Sequence, residues 1–154
     1  MENQTLKLKV TKALWELPDH GWVKINTDGA SMGNPGRSSI GFVLRGEEGD
    51  IRYERGKEIQ ETTNTEAEAA AILEAMRYCV HHGYINILVQ TDSMLMKNVI
   101  EGTWDPPWAV AAYLEEINEL MRRSNTRVTY IMREGNKLAD YLANCALDNG
   151  DFEA

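Results

Sequence analysis

The chain has 154 residues, of which 43% are hydrophobic and 26% charged, a composition typical of one globular domain and not of a disordered segment. Sixteen basic residues against 24 acidic ones give a formal charge of -8, which argues against a protein that coats nucleic acid through its phosphates alone. No apolar run is long enough for a membrane span or a signal peptide, and Cys79 and Cys145 lie far apart in the sequence, so we expect an intracellular, soluble protein.

Three strands are predicted in the first third of the chain. Residues 22–27 alternate apolar and polar side chains, as a strand with one buried face does. Gly33-Asn34-Pro35-Gly36 predicts a loop, and the runs 40–45 and 51–59 predict two further strands that a Gly-containing hairpin joins. Strands with such short connections pair in antiparallel fashion.

Helices and strands alternate in the rest of the chain. In chain order, composition and periodicity predict a helix over 65–82, a strand over 85–90, a helix that ends near 101, a helix over 109–123, a strand over 127–132 and a helix over 137–147. This order predicts an α/β fold in which helices cover the faces of a mixed sheet.

Two aspartates follow predicted strands directly. Asp28 stands at the end of the first strand before Gly29, and a turn is the alternative explanation for it. Asp92 stands between an interior strand and a helix, where its alternative role is a helix N-cap. If the two strands lie side by side, both carboxylates emerge at the same edge of the sheet.

Two further acids lie on predicted helices. Glu68 falls on the apolar stripe of its helix, whereas Glu66 points to the solvated face. The alternative for Glu68 is a capping box with Thr65. Asp140 lies one turn into the last helix, where the alternative is a favourable charge near the helix N-terminus.

The four carboxylates together point to a metal site. Acids that converge without nearby Lys or Arg cannot all stay ionised unless cations neutralise them. Oxygen-only ligands favour Mg²⁺ or Mn²⁺, and two such ions about 4 Å apart can hold the attacking and leaving oxygens of a phosphoryl displacement.

Five motifs resemble those of type 1 ribonuclease H, particularly the plant-type domains found alone or in reverse transcriptases of non-LTR retroelements. In chain order they are Ile25-Asn26-Thr27-Asp28-Gly29-Ala30, Gly33-Asn34-Pro35-Gly36, Thr63-Asn64-Thr65-Glu66-Ala67-Glu68, Thr91-Asp92-Ser93 and Asn136-Lys137-Leu138-Ala139-Asp140-Tyr141-Leu142-Ala143. The lead-in at Trp15 and Pro18 is similar too. We therefore expect an extension over 1–14, a ribonuclease H-like domain over 15–150 and a tail over 151–154.

The resemblance implies a fold, a reaction and a metal site. The fold is a five-stranded mixed sheet, three antiparallel strands followed by two parallel ones, with helices on both faces. The reaction is endonucleolytic cleavage of the RNA strand of RNA–DNA hybrids to 3′-hydroxyl and 5′-phosphate ends. The implied metal ligands and catalytic residues are Asp28, Glu68, Asp92 and Asp140, with two Mg²⁺ ions that Mn²⁺ can replace.

The resemblance also implies how the substrate is held. Asn34 and Asn64 match positions that contact the hybrid near the cleavage site, and Thr63 matches one that helps to hold a DNA phosphate. A turn role for Asn34 and a helix-entry role for Thr63 and Asn64 are the alternatives. We expect an RNA–DNA hybrid as partner, no membrane, no small-molecule cofactor and a monomer.

Two features of many relatives are missing. Residues 130–136 lack the histidine that assists proton transfer or product release, so we expect slower turnover. The basic helix that grips the hybrid in several relatives is also missing, and the helix over 109–123 is acidic instead. Trp104 and Trp108 are expected to pack in the core, with stacking on nucleic acid as the alternative. Affinity should be modest and sensitive to salt.

Other functions are compatible with the same fold. One is a catalytically weak or inactive module that binds nucleic acid or protein, although a cluster of acids without metal would only destabilise it. Another is an exonuclease or resolvase of the same superfamily. The Gly33-Asn34-Pro35-Gly36 loop and the Thr63-Asn64 helix entry favour cleavage of hybrids.

Overall fold

A computed structural model describes residues 16–154, so the predicted extension over 1–14 and Trp15 lie outside the described residues. The strands are β1 (Val23–Ser31), β2 (Gly36–Arg45), β3 (Ile51–Thr62), β4 (Asn86–Thr91), β5 (Asn125–Tyr130) and β6 (Phe152–Glu153). The α-helices are α1 (Asn64–His81), α2 (Met94–Glu101), α3 (Ala111–Arg122) and α4 (Lys137–Asn149), and 3₁₀ turns lie at Trp108–Val110 and Arg133–Gly135.

The strands form one mixed sheet in the order β5-β4-β1-β2-β3-β6. β2 pairs antiparallel with both β1 and β3, and β4 runs parallel to both β1 and β5. This arrangement confirms the predicted five-stranded mixed sheet. The short sixth strand, β6, lies in the expected tail, where Phe152 pairs with Gly56 of β3.

The main hydrophobic core lies between the sheet and α1. α1 packs on β1 and β2, and α3 packs against α1. Apolar side chains that are fully buried fill the space between these elements, among them Ile25, Leu44, Ile72, Met76, Cys79, Val89 and Ile117. Within residues 16–154, no helix combines the length and the apolar composition that a membrane crossing requires.

α4 covers the opposite face of the sheet, at β1, β2 and β3. Its approach is close because Gly41 of β2 has no side chain: a Cβ there would lie 2.5 Å from both Ala139 O and Ala143 N. The hydroxyl of Ser39, which is fully buried, donates a hydrogen bond of 2.6 Å to Ala143 O. These contacts fix the depth at which α4 lies on the sheet.

The close approach predicts that Gly41→Ala destabilises the protein. The added Cβ meets helix backbone, which cannot rotate away, so the free energy of unfolding should fall by about 1–3 kcal/mol. Denaturant unfolding measures this. Gly46→Ala is the control, since its Cβ would meet only the flexible end of the Arg52 side chain, and its effect should stay within about 0.5 kcal/mol. Equal losses in the two variants would contradict the packing argument.

Candidate metal centre

Asp28 and Asp92 lie beside each other where the parallel pairing of β1 and β4 ends. The last pair of that ladder is Thr27 with Thr91, and each aspartate is the next residue of its chain segment. β1 itself continues to Ser31 because its antiparallel pairing with β2 continues, so Asp28 lies inside β1. Asp28 is only 5% exposed.

Glu68 lies in the first turns of α1 and takes no part in its cap. The N-cap of α1 is Thr63 and not Thr65. Thr63 Oγ1 accepts a hydrogen bond from Glu66 N at 3.2 Å, and Thr63 N donates to Glu66 Oε1, so the capping box joins Thr63 and Glu66. The capping-box explanation for Glu68 is therefore wrong. Glu68 Oε2 is buried and has no hydrogen-bond partner among the described residues.

Gly29 allows α1 to begin this close to β1. A Cβ on Gly29 would lie 2.5 Å from Glu68 N and closer still to the Ala67 carbonyl group. Successive residues of a strand face opposite sides of the sheet, so Gly29 faces α1 while Asp28 faces α4. The glycine thus lets Glu68 reach the sheet edge from one face while Asp28 emerges toward the other.

The N-cap alternative for Asp92 is also wrong. The cap of α2 is Ser93, whose Oγ accepts a hydrogen bond from Met96 N at 3.2 Å. Because Ser93 satisfies the helix end, the half-buried Asp92 carboxylate is left to face the other acids.

The structure brings the four acids into one cleft of about 450 Å³. Ligand atoms of Asp28, Glu68 and Asp92 all lie within 4.8 Å of one another. Asp140, from the first turn of α4, lines the same cleft and adds to the raised pKa of Asp28, while its Oδ1 accepts from the exposed Asn144 amide at 3.3 Å. Three acids thus form the compact group and Asp140 closes one side.

Burial is the largest cause of the altered pKa values in the cleft. It raises the pKa of Asp28 far above its ordinary value, with further increases from Glu68 and Asp92. Burial and Asp92 raise the pKa of Glu68 in the same way, and burial raises that of Asp92. Without a cation the acids compete for protons, because their negative charges repel in a desolvated site.

These residues fit a hard divalent cation. The donors are carboxylate oxygens alone, and a buried one, Glu68 Oε2, lacks any partner in the described part of the chain. Oxygen donors of this kind suit Mg²⁺ and Mn²⁺. A bound cation would supply the missing partner and remove the repulsion.

Arg133 lies in the same cleft, although its role was not expected from the sequence. It belongs to the segment 130–136 that lacks a histidine, it is exposed, and it lines the cleft beside the acids. Its charge lowers the pKa of Asp92 and that of Glu68. No acid within the described residues forms an ion pair with it at 4 Å or less. The signal in the sequence is a cation between β5 and α4, at Arg133.

The expected hybrid-binding residues tie the Gly33-Asn34-Pro35-Gly36 loop to α1. Asn34 Oδ1 accepts a hydrogen bond from Asn64 N at 2.9 Å, and Asn64 Oδ1 accepts one from Ser31 N at 3.1 Å. Asn64 lines the cleft. Thr63, in contrast, is engaged in the helix cap described above.

Two tryptophans expected in the core lie on the surface. Trp104 is 50% exposed and Trp108 is 90% exposed, so the expectation of core packing is wrong for both. Trp108 begins the 3₁₀ turn that follows Pro107, and Val110 is the residue of that turn that is buried instead. Both indole rings are accessible to solvent and to ligands that stack.

Comparison with known sequences supports a family assignment. Residues 26–146 match the family model described as reverse transcriptase-like. The chain is 35% identical over 135 residues to ribonuclease HI of Halobacterium salinarum, an alignment that covers 86% of this chain and 68% of that protein. It is 29% identical over 133 residues to a putative ribonuclease H protein of Arabidopsis thaliana, covering 86% of this chain and 22% of that protein.

Solved structures give the same result. RNase H1 of Halobacterium salinarum superimposes with a TM-score of 0.80 at 34% identity and covers 83% of this chain and 98% of its own. LC11-RNase H1, solved in complex with an RNA/DNA hybrid, superimposes with a TM-score of 0.77 at 31% identity and covers 82% and 96%.

The repulsion among the acids predicts that Asp28→Asn stabilises the metal-free protein. Folding raises the pKa of Asp28, so as pH rises the unfolded chain releases this proton at a lower pH than the folded protein does. The free energy of unfolding of the wild type therefore falls as pH rises above about 4. In EDTA at pH 8 the variant should exceed the wild type by about 1–3 kcal/mol in free energy of unfolding, the cost of a buried group without a partner. Near pH 4 the two should converge.

Bound metal should make the wild type more stable than Asp28→Asn. Added Mg²⁺ or Mn²⁺ should raise the melting temperature of the wild type by binding the folded state and should leave Asp28→Asn nearly unchanged. Thermal unfolding with and without metal measures both effects. A variant less stable than the wild type in EDTA at pH 8 would show that the acids do not repel as described.

Proposed function

The chain belongs to the type 1 ribonuclease H family, and we propose that it is an endonuclease that cleaves the RNA strand of RNA–DNA hybrids, leaving 3′-hydroxyl and 5′-phosphate ends. The observation that carries the proposal is the convergence of Asp28, Glu68 and Asp92 at a cleft that Asp140 also lines. Members of this family use divalent metals, and the acids of the cleft form a donor set suited to them.

The proposed ligands are Asp28, Glu68, Asp92 and Asp140, and the proposed cofactor is a pair of Mg²⁺ ions that Mn²⁺ can replace. Bound there, divalent cations neutralise the developing charge on the scissile phosphate and activate water for an in-line displacement. The carboxylates would hold these cations in a desolvated cleft, where the positive charge of the cations would act on the substrate phosphate with little screening.

Arg133 is proposed to contact a phosphate of the substrate. It is exposed at the rim of the cleft, and its guanidinium group has five donors suited to phosphate oxygens. Its charge opposes the repulsion between the acids and the polyanionic substrate. Arg133 is therefore proposed to support hybrid binding from residues 130–136, the segment in which many relatives carry the histidine that this chain lacks.

Asn34 and Asn64 are proposed to contact the hybrid through their amide nitrogens. Their oxygens accept hydrogen bonds from Asn64 N and Ser31 N, so the NH₂ groups remain as donors. Minor-groove edges of bases and 2′-hydroxyls offer acceptors to such donors in a hybrid. Thr63 is proposed to approach a DNA phosphate, which requires its hydroxyl to exchange the cap bond for the phosphate oxygen.

Cleavage of a labelled RNA–DNA hybrid tests the proposed function. The wild type should cut the RNA strand in Mg²⁺ or Mn²⁺, and Asp28→Asn should reduce the rate by about 1000-fold or more, because several kcal/mol of charge stabilisation is lost. Asp50→Asn, the same change in the exposed β2–β3 hairpin, is the control and should cleave normally. Intact hybrid after long incubation of the wild type with either metal would overturn the proposal. Activity that survives Asp28→Asn would overturn the assigned ligands.

Arg133→Ala should weaken hybrid binding. Loss of one phosphate contact should reduce the slope of log affinity against log salt by about 1. Equilibrium binding is measured in the inactive Asp28→Asn background, so that cleavage does not interfere. Arg52→Ala removes an arginine that pairs with Asp50 away from the cleft and should leave the slope unchanged. An unchanged slope in Arg133→Ala would remove this residue from the interface.

A further inference from the structure

Asn136 is a buried polar residue next to the metal centre. It precedes α4 and is 1% exposed, but its side chain does not cap the helix. Only its backbone carbonyl serves the helix, by accepting from Asp140 N at 3.2 Å. The amide group is therefore free to bond elsewhere, and its partners lie in β1 and directly after β4.

Two hydrogen bonds join the Asn136 amide to β1. Nδ2 donates to Thr27 O at 2.8 Å, one residue before Asp28. The same amide also interacts with the Asp92 carboxylate. Oδ1 accepts from Asn26 Nδ2 at 3.1 Å. One side chain thus links β1, the end of β4 and the start of α4.

The Asn26 amide extends the network to β4. Its Nδ2 also donates to Gln90 Oε1 at 3.2 Å, across the pair of strands that ends beside the two aspartates. Asn26 Oδ1 is buried and finds no partner in the described part of the chain. A buried acceptor without a partner costs free energy, so local stability alone does not account for this arrangement.

We propose that Asn136 is a positioning residue of the metal centre: its amide holds the Asp92 carboxylate and the start of α4, with Asp140, in the arrangement that binds divalent cations. This inference rests on the proposed function, since it assigns a role to a residue that touches the ligands and not the metal. Residues that orient metal ligands commonly govern metal affinity.

Ser39 provides a matched comparison. Its hydroxyl is fully buried and, like Asn136, ties the sheet to α4, through the bond to Ala143 O at 2.6 Å. No hydrogen bond joins the Ser39 hydroxyl to the four acids within residues 16–154. Ser39→Ala therefore weakens the attachment of α4 to the sheet without removing a hydrogen bond to a proposed metal ligand.

Mn²⁺ binding measured by the loss of the free-ion EPR signal, without substrate, tests the proposal. Asn136→Ala should bind Mn²⁺ about tenfold more weakly than the wild type. Ser39→Ala should lower the melting temperature and keep an affinity within about twofold of the wild type, because it leaves the ligands in place. Circular dichroism checks that each variant is folded at the temperature of the titration.

A double-mutant cycle locates the action of Asn136. If the amide works mainly through Asp92, Asn136→Ala should weaken Mn²⁺ binding by less than about threefold in the Asp92→Asn background, while its effect on melting temperature persists. Should Asn136→Ala not fold, Asn136→Ser takes its place. It keeps one donor where the amide has two, and its affinity should fall between those of the wild type and a tenfold loss.

Three results would overturn the inference. One is wild-type Mn²⁺ affinity in Asn136→Ala, and another is an equal loss of affinity in Ser39→Ala, which would indicate general loosening of α4. A tenfold loss that persists in Asp92→Asn would remove the link to that ligand. In each case the wild type still binds Mn²⁺, so the proposed function stands. A wild type that binds no Mn²⁺ would overturn both.

Discussion

The close packing of two helices on opposite faces of β1 and β2 is the constraint on which the site depends. Gly29 lets α1 reach the sheet, and Gly41 does the same for α4. Because both helices approach so closely, Glu68 and Asp140 reach Asp28 from opposite faces of the sheet, where the pairing of β1 with β4 ends. A larger residue at either glycine would push the helix away from the sheet and so separate the acids. The cluster is therefore a property of backbone packing and needs no long, flexible side chains.

The rest of the structure compensates for the repulsion that this packing creates. The core between α1 and the sheet buries apolar side chains completely, and hydrophobic burial is the main favourable term in folding. Polar residues next to the acids satisfy the helix ends: Thr63 caps α1 and Ser93 caps α2. Had the acids been needed for these caps, they could not also bind a cation. Because Thr63 and Ser93 cap the helices, the carboxylates of Glu68 and Asp92 remain available to bind a cation.

Much of this could be predicted from the sequence, and the errors have local causes. Strand alternation gave β1, and the helical arc separated Glu68 from Glu66 correctly. The cap of α1 was misplaced because Thr63 and Thr65 both offer an acceptor, and only the strand end at Thr62 decides between them. Core packing is expected for Trp104 and Trp108 because large aromatic side chains are usually buried, but the structure buries Val110 at the entry to α3 and leaves both tryptophans exposed. The bonds of Asn136 join residues more than 100 positions apart, so no local pattern reveals them.

The formal charge of -8 takes on a different meaning once its distribution is known. Two divalent cations would bring it to about -4, with the change confined to the cleft.

The acids of α3 are not a uniform negative surface either. Glu116 pairs with Arg77 at 2.7 Å, and Glu119 lies 2.5 Å from Arg122 and 3.6 Å from Arg123. These exposed pairs add little to stability, but they cancel much of the field of α3. The paired acids of α3 therefore oppose a nucleic acid less than the acids of the cleft, where the proposed cations would bind, and hybrid affinity should depend on metal more than on the acidity of α3.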